Sequence, residues 1–133
     1  MAKIERFEDL EIWQKARELN KWVIKICKYT ALSKDFDMNR HLKKTSGSIM
    51  DNIAEGFDRG GNTEFRQFLS ISKGSSGEMK SQFYRCLDSE YIEEAEFKDL
   101  YKLTDDISKM ASGLINYLNK SDLKGNKFKK INE

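Results

Sequence analysis

The 133-residue sequence has no proline, a single histidine and only two cysteines. Each shortage excludes something. Without proline, nothing forbids long uninterrupted helices. His41 has no glutamate three residues before it, so the paired Glu-x-x-His motifs of a di-iron bundle are missing. Cys27, Cys86 and His41 are isolated from one another and lack the ligand spacing of a zinc site. The cysteines fall inside helical patterns and read as reduced, buried thiols, although sequence alone leaves a bridge between them open. No stretch approaches the roughly 20 consecutive apolar residues that cross a bilayer. Met1 to Arg6 is polar and leads straight into an amphipathic segment. Neither a signal peptide nor a membrane partner is therefore expected, and the expected location is cytoplasmic.

The other candidates for chemistry fail as well. His41 lies on a predicted polar face, away from Cys27, which removes a Cys–His nucleophile. Gly74-Ser75-Ser76-Gly77 has small residues like a phosphate loop, but it lacks the P-loop pattern and follows no strand. Asp105 and Asp106 are adjacent, so a helix points them to different sides. The sequence offers no catalytic residues, no metal site and no cofactor site.

What it does hold is helical periodicity. Apolar residues make up 38% and charged residues 35%, a balance suited to long solvated helices around one core. The first predicted helix spans 9–30, with Ile12, Ala16, Leu19, Val23 and Ile26 as its seam. The second spans 38–59, with Ser33 or Asp37 as its cap and Leu42, Ser46, Ile49, Ile53 and Phe57 facing inward. Gly60-Gly61 stops it, because glycine takes the left-handed conformation at little steric cost. Asn62 or Thr63 can cap the third helix, 63–89, whose inner face is Phe65, Phe68, Ser72, Ser76, Met79, Phe83 and Cys86. The fourth spans 93–119 and carries Phe97, Leu100, Ile107, Met110, Leu114 and Tyr117. Its first turn holds Glu93, Glu94 and Glu96, which complement the positive end of the helix dipole. This pattern predicts an all-α, up-down-up-down antiparallel four-helix bundle with short loops over residues 1–119, followed by a flexible basic tail, 120–133.

The net charge is only +2, but it is unevenly distributed. Residues 91–119 hold three lysines against six acidic residues, while 120–133 hold five lysines against two. On the first helix Arg17, Lys21, Lys25 and Lys28 form a stripe within about 80° at roughly 100° per residue. Arg40, Lys43 and Lys44 form a second cluster, with His41 beside it. Both clusters read either as ordinary solvated faces or as contacts to a phosphate backbone. No aromatic interleaves the stripes in this reading, so phosphates rather than bases are the expected contacts. Trp13 and Ile24 widen the apolar arc of the first helix beyond one seam, which points to a second buried surface between subunits. Gly74, Ser75 and Gly77 sit in the middle of the third helix. Each mid-helix glycine costs roughly 1 kcal/mol relative to alanine, which points to a close helix crossing, within the bundle or between subunits.

Several motifs together resemble a known family. They are Phe7-x-x-Leu10-x-x-Trp13-x-x-Ala16, Leu42-Lys43-Lys44, Ser48-Ile49, Asn52-Ile53-Ala54-Glu55-Gly56, Arg59, Glu64-Phe65-x-x-Phe68-Leu69, and Gly74-Ser75 with Glu78. The family is that of the small four-helix bundle proteins encoded in intervening sequences of bacterial 23S ribosomal RNA genes, often labelled as a ribosomal protein. The accessory variability proteins of diversity-generating retroelements look like relatives. Two arginines are usual in the family where Lys43 and Lys44 stand, and lysine lacks their bidentate fork. The family often has a proline before the second helix, where this chain has Ser33-Lys34-Asp35, and Ser72 stands where alanine is common. The resemblance implies a homo-oligomeric ring, a pentamer, that binds nucleic acid without catalysis. The expected function is thus a non-catalytic oligomeric RNA-binding protein. The alternative is an adaptor that docks onto a nucleic-acid enzyme such as a reverse transcriptase.

Overall fold

The computed structural model describes residues 3–123. Four helices follow one another: α1 (Glu11–Tyr29), α2 (Phe36–Asp58), α3 (Asn62–Asp88) and α4 (Glu94–Leu123). Single 3-10 turns, Phe7–Asp9 and Ala31–Lys34, precede α1 and α2. Neighbours in sequence are neighbours in space, and α4 closes back on α1. Contacts between α1 and α2 run in opposite order: Ser46 Oγ donates to Asn20 Oδ1 at 2.8 Å, and Asn39 Nδ2 donates to the Cys27 carbonyl at 2.9 Å. The same holds for α2 and α3, where Ser72 Oγ donates to the Ile49 carbonyl at 2.9 Å. The expected antiparallel bundle is the observed one.

The predicted seams of α1 and α2 are buried throughout, from Ile12 to Ile26 and from Leu42 to Phe57. Phe65 and Phe83 are the largest fully buried side chains. Each such burial favours folding by roughly 1.5–3 kcal/mol. In α4 the seam departs from expectation. Phe97, Leu100 and Ile107 are buried, but Met110 and Leu114 are only half-buried and Tyr117 is exposed. Leu103, Thr104, Ala111, Leu118 and Ser121 take the inner positions instead. An apolar count passes over Thr104 and Ser121, although Thr104 satisfies its hydroxyl internally by donating to the Leu100 carbonyl at 2.8 Å.

The helix ends also differ from expectation. Asp35, not Ser33 or Asp37, caps α2: its Oδ1 accepts from the Met38 N–H at 3.2 Å. Ser33 is used up in the 3-10 turn, and Asp37 sits in the first turn of α2, paired with Arg40 at 2.8 Å. The N-cap of α3 is Gly61, with Asn62 and Thr63 already helical. Gly60 has φ +85°, the left-handed stop expected of it. The helix α4 continues through Leu123, so the first four residues of the expected tail are helical, and Ser121 is buried. The rest of that expected tail, 124–133, lies outside the described residues.

Candidate nucleic-acid interface

All seven predicted cations are exposed: Arg17, Lys21, Lys25 and Lys28 on α1, and Arg40, Lys43 and Lys44 on α2. Among the described residues, six of the seven have no carboxylate partner, and only Arg40 is paired, with Asp37. Arg17 stacks its guanidinium over Trp13 at 5.9 Å, and Lys28 sits over Tyr29 at 5.3 Å. The fold partly joins the two clusters. Asn39 pairs with the Cys27 turn, which sets the α2 cluster beside the C-terminal end of the α1 stripe. Burial pushes the Cys27 thiol up, and the charge on Lys43 acts against that shift. By helical spacing Lys44 turns 100° away from Lys43, so the clusters do not form one flat patch.

The expectation that no aromatic interleaves the stripe needs correction. Tyr29 is 74% exposed at the end of α1, and Trp22 is half-buried within the lysine run. The Trp22 indole N–H donates to Glu96 Oε2 of α4 at 2.8 Å. Next to it lies a shallow pocket of about 310 Å³, lined by Glu18, Lys21, Trp22 and Lys25. Trp22 is visible between Lys21 and Lys25 in the sequence, where with Tyr29 it extends the apolar arc of α1; only its tie to Glu96, 74 residues away, has no local signal.

The predicted interface residues divide. Trp13 is half-buried because Phe7 meets it edge-on at 5.1 Å, so the chain's own N-terminal turn covers much of the extra arc. Ile24 remains 46% exposed. Gly74 and Gly77 are exposed, and a Cβ added at either would meet nothing within 4 Å. Neither glycine serves a close crossing within the bundle. Ser75 does face a neighbouring helix, and its Oγ lies 2.9 Å from Ser48 Oγ. The close approach is at Gly56, where a Cβ would lie 2.5 Å from Phe68 Cβ.

Both cysteines are free and buried, and burial pushes the Cys86 thiol up to about 12. Among the described residues no group of three or more His, Cys, Asp or Glu side chains could hold a metal ion. No helix there is long and apolar enough to cross a membrane.

Fold and surface define a class: a small antiparallel four-helix bundle with exposed cationic helix faces. The profile of the 23S rRNA-intervening sequence protein family matches residues 8–113, and the chain belongs to that family. In fold it is similar to a crystallised protein of unknown function from the S23 ribosomal protein family of Bacteroides thetaiotaomicron. The TM-score is 0.73 at 20% identity, covering 78% of this chain and 97% of that one. No curated protein matches.

The motifs that carry the resemblance are largely the packing of the α2–α3 hairpin. Gly56 admits Phe68, the guanidinium of Arg59 lies 5.2 Å from the Phe68 ring centroid, and Ser48 meets Ser75. A Cβ added at Gly61 would lie 2.5 Å from Glu64 Oε1. The basic residues of α1 are outside that hairpin.

Proposed function

We propose that this chain is a non-catalytic, oligomeric RNA-binding protein that grips phosphates through the basic faces of α1 and α2. The observation that carries the reading is the set of exposed cations without carboxylate partners among the described residues: Arg17, Lys21, Lys25, Lys28, Lys43 and Lys44. Paired surface lysines have their charge locally cancelled, whereas unpaired ones attract a polyanion and release its counterions. Lysine at positions 43 and 44 acts as a point charge, which suits backbone contact more than base readout.

Assembly is part of the proposal. Ile24 on α1 and Ile71 on α3, 46% and 49% exposed, lie on helices at opposite corners of the bundle. Joining unlike patches gives a head-to-tail contact, and such contacts close into rings when the rotation allows. A ring, a pentamer by family resemblance, repeats each weak basic face and raises avidity.

The test is a gel-shift titration of structured RNA at several salt concentrations, with light scattering on the same samples. Lys21→Glu with Lys25→Glu is expected to weaken binding roughly tenfold or more while the circular-dichroism melt stays unchanged. Wild-type affinity should fall with salt at a log–log slope of about −0.7 to −0.9 per phosphate contacted. Unchanged affinity in the double reversal would count against the assignment. A ring that ignores RNA at every salt concentration would favour the adaptor reading.

A further inference from the structure

Trp22 adds a flat apolar surface along the edge of the lysine stripe that faces α4. Its N–H bond to Glu96 ties the ring across the seam between α1 and α4. The pocket beside it is lined by Glu18, Lys21, Trp22 and Lys25, the i, i+3, i+4, i+7 set that shares one helix face. We propose that this pocket is a subsite for one unstacked nucleobase of a single-stranded segment. The base stacks on the Trp22 indole, with its flanking phosphates at Lys21 and Lys25. The inference rests on the phosphate-binding reading above and adds a base contact to it.

Three features converge on that ligand. An aromatic face beside cations suits single-stranded nucleic acid, because every base has a π-face and every link has a charge. Lys21 and Lys25 are one helical turn apart, about 6 Å of rise, so they can serve phosphates on either side of one base. The carboxylates set the selectivity. Glu96 already accepts from Trp22, which leaves Glu18 as an acceptor on the pocket wall. An acceptor-only group favours cytosine, adenine and guanine, which carry an exocyclic amino donor, over uracil, whose one base N–H stands between two carbonyls that repel a carboxylate. Stacking on Trp22 separates a base from an abasic link, and Glu18 separates one base from another. A base inside a duplex cannot offer its face, so helical RNA is excluded from this subsite. Trp22 lies some 160° around the helix from Ile24, so the stacking face is turned away from a subunit contact made through Ile24, with Lys21, three residues before Ile24, at the border between them.

The test uses the full chain and fluorescence anisotropy with four probes: single-stranded oligo(C), oligo(U), an abasic oligomer of the same length, and a duplex hairpin. Oligo(C) should bind more tightly than the other three. Trp22→Leu should weaken oligo(C) binding about 5- to 150-fold, equivalent to about 1–3 kcal/mol for one stacked base, and leave the abasic oligomer unchanged. In a Trp13→Phe chain, where Trp22 is the sole indole, oligo(C) should quench emission and the abasic oligomer should not. That quench decides the matter if Trp22→Leu melts the bundle. Equal binding of oligo(C) and the abasic oligomer, without quenching, overturns the base subsite. The phosphate reading then stands if the double reversal at Lys21 and Lys25 weakens both. If neither oligomer responds to that reversal, the phosphate reading falls and the subsite with it.

Discussion

A methyl group added at Gly56 would press within 2.5 Å of Phe68 Cβ, whereas at Gly74 or Gly77 it would meet nothing. Gly56→Ala should therefore destabilise the bundle by about 1–3 kcal/mol, the usual penalty for overpacking. Gly74→Ala and Gly77→Ala should each raise stability by up to about 1 kcal/mol through helix propensity, read from thermal melts. Light scattering on the same two variants reports on assembly: a ring that falls apart would place a partner helix on those bare positions. Asp35 gives a second prediction at this scale. The Tyr91 hydroxyl donates to its Oδ2 at 2.6 Å, and together with the Met38 N–H it holds the carboxyl below the ordinary 3.8. A lowered folded-state value means the contribution is complete above the unfolded carboxylate range and is lost as pH falls through the lower value. Acid melts of wild type and Asp35→Asn should thus converge below about pH 4 and separate above it, with wild type the more stable. Parallel curves across that range would rule out the linkage.

At the scale of elements, large apolar residues were the legible part and small polar ones were not. Ile12 to Ile26 could be read directly because a buried face recurs every 3.6 residues. The inner line of α4 drifted from expectation because Thr104, Ala111 and Ser121 bury without advertising themselves as hydrophobic. Caps were misplaced because acceptor position depends on where the preceding 3-10 turn ends, as at Asp35. The close crossing was sought at the conspicuous glycines of α3 and found at Gly56, which a glycine count along α3 could not reveal. The end of α3 holds one more departure. Glu90 takes φ +61°, and the Tyr91 N–H reaches back to the Cys86 carbonyl at 2.9 Å. That is the hydrogen-bond pattern in which glycine is preferred at the left-handed position. Glu90→Gly should raise stability by a few tenths to about 1 kcal/mol; a drop in the denaturation midpoint would mean that the Glu90 side chain is holding the turn.

For the whole molecule, architecture was legible and the site only half so. The α1 stripe follows from spacing alone, but its aromatic neighbour becomes part of the site only once α4 returns beside α1 and Glu96 reaches Trp22. Of the three reversals in the bundle, the one between α2 and α3 is the tightest. Gly60 is the described glycine with positive φ, and no proline stands nearby to enforce the break. Alanine at φ +85° is strained by roughly 1 kcal/mol or more. Gly60→Ala with Gly61→Ala would therefore favour running α2 into α3 as one rod from Phe36 to Asp88. The α1–α2 half of one chain would then find its partner in the α3–α4 half of another, which is domain swapping. Small-angle scattering would show a longer particle with the same helix content, whereas an unchanged radius of gyration would mean that the Phe57, Phe65 and Phe68 packing holds the hairpin shut without help from glycine.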